Sequence, residues 1–447
     1  MILFGNRIEM LVDRYLLAET ENVSFRKTEP KALGKVIHFD APWEGLGSLG
    51  MTIFEDEENI KCYYRGFPDH QADDSNRQTS CLSVSEDGLR FTPVPVNEIP
   101  YDGITENNIV RMDTFCHNFA PFLDTNPDCK PEEKYKAIGG IIHQGGIHVF
   151  GSPDGIHWHM MADGPVITKG AFDSMNMAFW NPSTKLYHAY SRYFDGRVKN
   201  AEMPYGCRAI QSCTSTDFIH WTEPVYNEYA EGLPKDQLYT NATRPVPGAE
   251  HILVSMPMRF QEIRKKVEDY EGNPYGSSGV SDTVLMTSRD GVHWDRMLKD
   301  AWLAGSLNPH EWTQRCFITI GGIIERGNDF YIYTEQNYMW DDDGIWAYSI
   351  PKYRFLSLYA DEDGGFFTTK QLQFTADDIY LNYSTSAYGY VKVTVLDETG
   401  SEIFASGEIY GNELSHGLHV EGLAGKCGTM RIELKEAHLY AIGSAMN

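Results

Sequence analysis

Three carboxylic residues stand where the sequence could support paired acid–base chemistry, in which one carboxyl donates a proton and another acts as base or nucleophile. Asp173 lies in the segment FDSMN at the start of a predicted strand. We interpret it as the nucleophile or base, the alternative being an aspartate that caps a turn. Glu335 lies inside the apolar segment YIYTEQNYMW, where burial would raise its pKa as a general acid requires, unless it forms a salt bridge with an arginine. Glu44 is the third candidate, and its neighbour Trp43 could stack on a ligand ring or pack in the core.

Arginines form a second candidate group. Three of them follow the second strand of successive predicted units, in YYRG, YSRY and PMRF: Arg65, Arg192 and Arg259. Two more, Arg244 and Arg315, fall on predicted inner strands. A guanidinium binds carboxylates and phosphates in a bidentate manner, so several arginines converging on one channel would indicate an anionic substrate such as a uronate, a sialate-like sugar or inorganic phosphate. The alternative is that each arginine pairs with one of the 63 acidic residues.

A repeated element must position these residues, because one short phrase occurs four times: a Ser, a spacer, an Asp and, four residues later, an aromatic residue. The copies have their aspartates 67, 63 and 73 residues apart, at Asp87, Asp154, Asp217 and Asp290. The carboxylate can accept backbone N–H groups across a tight turn, and the Trp or Phe can pack between neighbouring sheets. We therefore interpret these aspartates, and the histidines at 157, 220 and 293, as structural residues of an array of similar units.

The array predicts an all-β fold, a five-bladed β-propeller followed by a β-sandwich. Around each phrase four strand-like segments recur, which is typical of a propeller blade, and a fifth unit keeps this rhythm without the phrase. We assign residues 45–352 to the propeller. The alternating pattern of residues 353–447 predicts the sandwich. Residues 1–44 are a lead-in segment that either closes the propeller or bridges to the sandwich.

Composition limits the classes of partner. With 38 Lys and Arg against 63 Asp and Glu, the formal charge of −25 argues against a nucleic-acid-binding surface. The eight cysteines include no CxxC pair, which favours free thiols. No segment has the length and hydrophobicity of a membrane span, and the start of the chain lacks the apolar core of a signal peptide, so we expect a cytoplasmic protein, or a secreted one if a signal has been removed. We predict no metal and no cofactor, and the sequence does not indicate an oligomeric state.

A five-bladed propeller followed by a sandwich resembles the invertase-like glycosidases of glycoside hydrolase family 32 and their relatives in families 43 and 68, and the segment TSTDFIHWTEP at residues 214–224 is similar to turns of those families. The catalytic phrases of family 32 are not present. The nearest counterpart of its Trp-x-Asn-Asp-Pro nucleophile phrase is APWEG at residues 41–45, HNFAP at 117–121 stands in place of its Arg-Asp-Pro phrase, and its Glu-Cys acid has no match. The resemblance implies a sugar-directed enzyme, with His117, Asn118, Trp43 and Trp312 as candidate substrate contacts.

The resulting hypothesis is an exo-acting glycosidase that uses Asp173 and Glu335 as its carboxyl pair, with arginines positioning the substrate. Two alternatives remain open at this point. One is a phosphorolytic glycosyl transferase on a similar scaffold, and the other is a carbohydrate-binding protein without catalytic activity.

Overall fold

The computed structural model describes residues 1–5, 7–68, 72–197, 206–269 and 278–443. Over these residues the chain is all-β, as predicted. The remaining regular structure consists of short 3₁₀ turns at Thr114–Asn118, Pro131–Glu133, Ile142–Gln144 and Pro309–Trp312. None of these described helical turns is long and apolar enough to cross a membrane. All eight cysteines are free.

The N-terminal segment contributes strands to two different sheets. Its five strands are β1 (Ile2–Phe4), β2 (Ile8–Met10), β3 (Leu17–Glu21), β4 (Ser24–Lys27) and β5 (Lys31–His38). The first four join the large C-terminal sheet described below, whereas β5 joins the last of five smaller sheets. Residues 1–44 therefore contribute both to the last small sheet and to the C-terminal sheet, which are the two alternatives that the sequence left open.

The first three small sheets each consist of consecutive antiparallel strands. The first contains β6 (Leu49–Glu55), β7 (Ile60–Gly66), β8 (Thr79–Ser85), β9 (Thr92–Pro93) and β10 (Ile109–Met112). The second contains β11 (Ala120–Leu123), β12 (Tyr135–Gly139), β13 (His148–Ser152) and β14 (His159–Met160). The third contains β15 (Met177–Asn181), β16 (Leu186–Asp195), β17 (Cys207–Ser215) and β18 (Val225–Tyr226). Central strands such as β7 and β12 are buried along their whole length, because neighbouring sheets cover both of their faces.

The fourth unit has a small additional sheet. Its strands in chain order are β19 (Glu228–Tyr229), β20 (Gln237–Leu238), β21 (Arg244–Val246), β22 (Ala249–Ser255), β23 (Met258–Lys265), β24 (Ser278–Thr283), β25 (Met286–Ser288) and β26 (His293–Asp295). Strands β21, β22, β25, β26 and β19 form the main sheet, and β20, β23 and β24 form the additional one.

The fifth sheet is completed by the N-terminal strand. It contains β27 (Ile318–Thr319), β28 (Ile324–Arg326), β29 (Asp329–Gln336) and β30 (Gly344–Pro351), and β30 pairs with β5. The N-terminal segment thereby supplies the outer strand of the last of the five sheets.

Neighbouring sheets meet along their first strands, where β6 lies against β11, and β11 against β15. The first and fifth sheets are joined there by backbone hydrogen bonds, from Ile53 N to Gly321 O at 3.1 Å and from Gly321 N to Met51 O at 3.1 Å. A cavity of about 120 Å³ receives residues from the beginnings of these strands or from the segments just before them. A second cavity, of about 390 Å³, receives residues from their far ends, including Phe54, Phe122 and Phe179. We interpret the five sheets as the five predicted blades, with the two cavities at opposite ends of a central channel.

The four repeated phrases form identical turns. In the second copy, Asp154 accepts the backbone N–H groups of Ile156 and His157 at 2.8 and 2.9 Å. Gly155 has a φ of +79°. The hydroxyl of Tyr63, in the first sheet, donates a hydrogen bond to the carbonyl of Gly155 at 2.9 Å. Similar tyrosine bonds reach the first and fourth turns. The phrases are therefore structural links between sheets.

The C-terminal region forms one eleven-stranded sheet that folds over a single apolar core. Its strands are β31 (Leu356–Ala360), β32 (Gly365–Thr369), β33 (Leu372–Phe374), β34 (Asp378–Asp397), β35 (Glu402–Ala405), β36 (Asn412–His419) and β37 (Cys427–Gly443), together with β1 to β4. The long strands β34 and β37 pair along most of their length, and buried and partly buried residues alternate along the first half of β37. This is the region predicted to be a sandwich.

Candidate active site

The smaller cavity at one end of the channel gathers most of the charged residues predicted to act on a substrate. Its walls come from all five sheets and their connecting segments: Leu49, Arg65, Phe67, Asp73, His117, Asp173, Ser174, Met175, Tyr239, Thr240, Met258, Arg315, Ile318 and Tyr338. Four of the residues named as candidates from the sequence line this cavity: Asp173, Arg65, Arg315 and His117. Arg192 lies directly behind Asp173.

Asp173 is held at the cavity wall as an ion pair. It lies four residues before β15, and its Oδ1 accepts a hydrogen bond from Nη2 of Arg192, which belongs to β16. The side chain of Asp173 is 42% exposed, whereas that of Arg192 is 3% exposed. A buried cation thus faces a carboxylate that remains accessible from the cavity.

Asp73 supplies a second carboxyl to the same cavity. It lies in the connection between β7 and β8, and its side chain is 45% exposed. Burial raises its pKa, and the nearby Asp173 raises it further, so that the pKa of Asp73 lies above its ordinary value despite the opposing effect of Arg65. The two carboxyls therefore have different surroundings: Asp173 is paired with a buried arginine, whereas burial and a neighbouring carboxylate raise the pKa of Asp73.

His117 and Arg65 form the wall between the first and second sheets. Arg65 donates to the carbonyl oxygens of Gly47 and His117 at 2.9 and 3.0 Å. The imidazole Nδ1 of His117 lies 3.0 Å from Oε1 of Gln78. Burial and the positive charges of Arg65 and Arg315 hold the pKa of His117 well below its usual range, so this histidine is neutral.

Arg315 and two tyrosines form the opposite wall. The guanidinium lies 3.4 Å from the hydroxyl of Tyr338 and 3.4 Å from that of Tyr239. Burial would raise the pKa of Tyr239, but the positive charges of Arg315 and Arg192 outweigh burial and lower it. The backbone of Arg315 is left-handed, with a φ of +60°, which is strained for a residue with a β-carbon.

Glu44 and Trp43 lie inside the first sheet and not at the cavity. The carboxylate of Glu44 accepts from the backbone N–H of Ala41 and from the hydroxyl of Tyr64, both at 2.8 Å. Burial raises the pKa of Glu44 to about 7. The indole N–H of Trp43 donates to Asn108 at 2.9 Å. The structure thus uses both residues to join the entry of the propeller to its first blade.

Glu335 is fully buried between the fifth and first sheets and does not line the cavity. Its Oε2 accepts the backbone N–H of Gly50, while its Oε1 has no hydrogen-bond partner among the described residues. Burial raises its pKa to about 8, as predicted for a carboxyl inside an apolar strand. Asp343 lies nearby and is also buried, and burial together with the charge of Glu335 raises its pKa well above the ordinary range.

Three further sequence candidates also lie outside the cavity lining. Asn118 binds backbone groups of the second and third sheets, accepting from Gly140 N at 2.8 Å and donating to the carbonyl of Phe172. Arg259 pairs with Asp282 at 2.6 Å on the additional sheet of the fourth unit. Trp312, which is 36% exposed, donates to the carbonyl of Ser306 at 2.8 Å.

Sequence reasoning did not select three residues that line the cavity, Asp73, Tyr239 and Tyr338. Asp73 lies in the polar connection ADDSNRQ, which has the composition of an ordinary surface loop. Tyr239 precedes β21 in the segment LYTNATRP, and its position just before an inner strand is the signal that could have identified it.

One group of side chains has the donor types of a metal site. His310, Asp341 and Asp342 place ligand atoms within 4.8 Å of one another. However, Nδ1 of His310 lies 2.9 Å from Oδ1 of Asp342, and its ring stacks on Trp340 at 3.8 Å. Hydrogen bonding and stacking account for this group.

No protein-family model and no curated protein matches the chain. Solved structures do resemble it. A structure described as a glycoside hydrolase shares 12% identity, with a TM-score of 0.47 over 72% of this chain and 92% of that one. A fructofuranosidase of Schwanniomyces occidentalis in complex with fructose shares 9% identity, with a TM-score of 0.40 over 96% and 97%. The catalytic domain of an α-L-arabinofuranosidase of Coprinopsis cinerea shares 10% identity, with a TM-score of 0.43 over 72% and 97%.

Proposed function

We propose that the protein cleaves a glycosidic bond in the small cavity, with Asp173 as base or nucleophile and Asp73 as general acid. The observation that carries this proposal is the presence of two accessible carboxyls in one cavity, one paired with Arg192 and the other with a raised pKa. Glycoside hydrolysis requires this division of roles between two carboxyl groups.

The two carboxyl groups have separate roles in the proposed reaction. Protonated Asp73 donates its proton to the oxygen of the leaving group as the bond from that oxygen to the anomeric carbon breaks. Asp173 either attacks the anomeric carbon, forming a glycosyl ester that water then cleaves while Asp73 takes up a proton from that water, or it removes a proton from the water that attacks the anomeric carbon directly. Arg192 is a positioning residue, because it holds the carboxylate of Asp173 in place without contacting the bond that breaks.

The first test compares Asp173→Asn and Asp73→Asn on a panel of aryl glycosides. Each substitution should lower kcat by about 100-fold or more, since general acid and base groups contribute factors of this order. Asp73→Asn should lose less activity on substrates with an acidic phenol as leaving group, because such a group departs without a proton. Asp163→Asn, at an exposed site, is the matched control. Full activity of Asp173→Asn would contradict the proposal.

A further inference from the structure

We propose that the cavity recognises its substrate through an anionic group, a carboxylate or a phosphoryl group. This inference rests on the proposed function only in placing the substrate at the same site. Among the described residues, three arginines, Arg65, Arg192 and Arg315, surround this cavity together with two aspartates, which is an excess of one positive charge. The protein as a whole has a formal charge of −25, so a local positive site is specific to this position.

Arg192 has hydrogen-bonding capacity that the protein does not use. Its side chain is 3% exposed, and its Nη2 binds Asp173. Its Nε and Nη1 have no hydrogen-bond partner among the described residues. The guanidinium carbon lies 5.0 Å from the ring centres of both Phe194 and Tyr239, so aromatic rings hold it in place. A buried, oriented cation with unused donors is suited to binding an anion.

Arg315 faces the same space from the opposite side. Its contacts of 3.4 Å with Tyr239 and Tyr338 are long for hydrogen bonds. A carboxylate or phosphoryl oxygen between these groups would receive shorter, charge-assisted bonds. The left-handed backbone of Arg315 shows that the fold holds this side chain in place at a cost in backbone energy.

Two titratable groups report the positive field independently. His117 and Tyr239 come from different sheets, and positive charge from Arg315 lowers the pKa of both. For Tyr239 the effect of the arginines exceeds that of burial, although Asp173 acts in the opposite direction. The field therefore extends across the cavity and is not confined to a single ion pair.

The size of the cavity limits what can accompany the anionic group. Its volume of about 120 Å³ corresponds to about four water molecules, at roughly 30 Å³ each. This is room for one charged group and part of one sugar ring. Two kinds of ligand could supply the anionic group: a sugar acid, or inorganic phosphate that acts as the attacking nucleophile.

Calorimetric titration of the full-length protein can test this inference without any turnover. The ligands are D-glucuronate and D-galacturonate, each compared with its neutral hexose, and inorganic phosphate. At least one of the three anions should bind, a sugar acid about tenfold or more tighter than its neutral counterpart, and Arg315→Gln should weaken that binding by about tenfold or more. Arg326→Gln, which alters an ion pair with Glu55 on the first sheet, is the matched control. If none of the anions binds, or Arg315→Gln leaves binding unchanged, the inference is overturned.

Turnover measurements separate this inference from the proposed function. Anion binding that depends on Arg315, with no cleavage of any glycoside, would support the inference and contradict the function. Cleavage of neutral glycosides with no preference for uronides and no effect of phosphate would overturn the inference and leave the function intact. A requirement for phosphate during turnover would identify the anion as phosphate, and preference for a uronide would identify it as the sugar acid.

Discussion

The carboxyl groups with the most strongly raised pKa values lie outside the proposed site. Glu335 and Asp343 are buried in the wall between the fifth and first sheets, each with one oxygen that has no partner among the described residues. Glu335 is protonated in the folded protein below a pKa of about 8 but would ionise near pH 4.3 when unfolded. Its contribution to stability is therefore fully present below about pH 4.3 and is lost as the pH rises towards 8.

Glu335→Gln should remove this dependence on pH. We expect the melting temperature of the variant to exceed that of the wild type by about 2 °C or more at pH 8 and to match it near pH 4.5, because the amide keeps the acceptor for Gly50 without an ionisable group. Its activity should equal that of the wild type, whereas Asp173→Asn should be inactive. Thermal unfolding at the two pH values and a kinetic assay measure both effects. Loss of activity with unchanged stability would return Glu335 to the catalytic role considered from the sequence.

The sequence predicted part of the cavity and could not predict the rest. Asp173 and Arg65 lie at the start of an inner strand and the end of a second strand, where backbone position alone directs a residue towards the axis, and His117 follows from the family resemblance. Glu335 also lies on a strand, but the sequence does not specify which neighbouring sheet covers its face. Asp73 lies in a connection whose path is set by packing against other sheets, so no local pattern identifies it.

At the scale of the element, the repeated turns link neighbouring sheets through tyrosine hydroxyls, and the strength of these links should differ between copies. Tyr333 donates to the carbonyl of Gly88 at 2.9 Å, and no other side chain among the described residues donates to it. The carbonyl of Gly155 accepts from Tyr63 at 2.9 Å and also from the indole of Trp158 at 3.0 Å. Removing the tyrosine donor therefore leaves a buried carbonyl without a side-chain partner in the first turn but not in the second.

Tyr333→Phe should consequently be more destabilising than Tyr63→Phe. We expect a loss of about 1–3 kcal/mol in the free energy of unfolding for Tyr333→Phe, and about 0.5–1 kcal/mol for Tyr63→Phe, because the second carbonyl keeps its indole donor. Urea unfolding measures both, and Tyr388→Phe, at a residue that is 87% exposed, is the control. Equal losses in the two variants would show that the turns do not depend on these hydrogen bonds.

At the scale of the whole molecule, the N-terminal segment joins the two regions that the sequence separates. The sequence of residues 1–44 does not predict whether this segment closes the propeller or bridges to the sandwich. The strands of the segment are short, and the strands they pair with lie more than 300 residues further along the chain. Ile8, Met10 and Val12 pack in the same apolar cluster as residues of the propeller sheets. The two regions therefore share a core, and we expect them to unfold together.

Arg289 provides the most direct test of this coupling. It occupies the spacer position of the fourth repeated phrase, and its guanidinium binds Asp13 and Glu9 of the N-terminal segment, each at 2.7 Å. Both carboxylates are buried, so Arg289→Ala would leave them without this partner and should cost about 3–5 kcal/mol. Arg326→Ala, which breaks a more exposed ion pair, should cost less than about 1 kcal/mol.

The pH dependence of the stability lost in Arg289→Ala shows whether the ion pair of Arg289 with Glu9 causes that loss. Burial opposes ionisation of Glu9, but the nearby His251, whose Nε2 lies 3.6 Å from Oε1 of Glu9, and the charges of Arg289 and Arg7 outweigh burial and lower the pKa of Glu9 to about 2. The stability that Glu9 contributes is present above about pH 4.3 and is lost as the pH falls towards 2, so the difference between wild type and Arg289→Ala should narrow over that interval. Calorimetry should show one transition for the wild type at pH 7. Two separate transitions in the wild type, or a loss in Arg289→Ala that does not change with pH, would mean that the N-terminal segment does not couple the propeller to the C-terminal sheet.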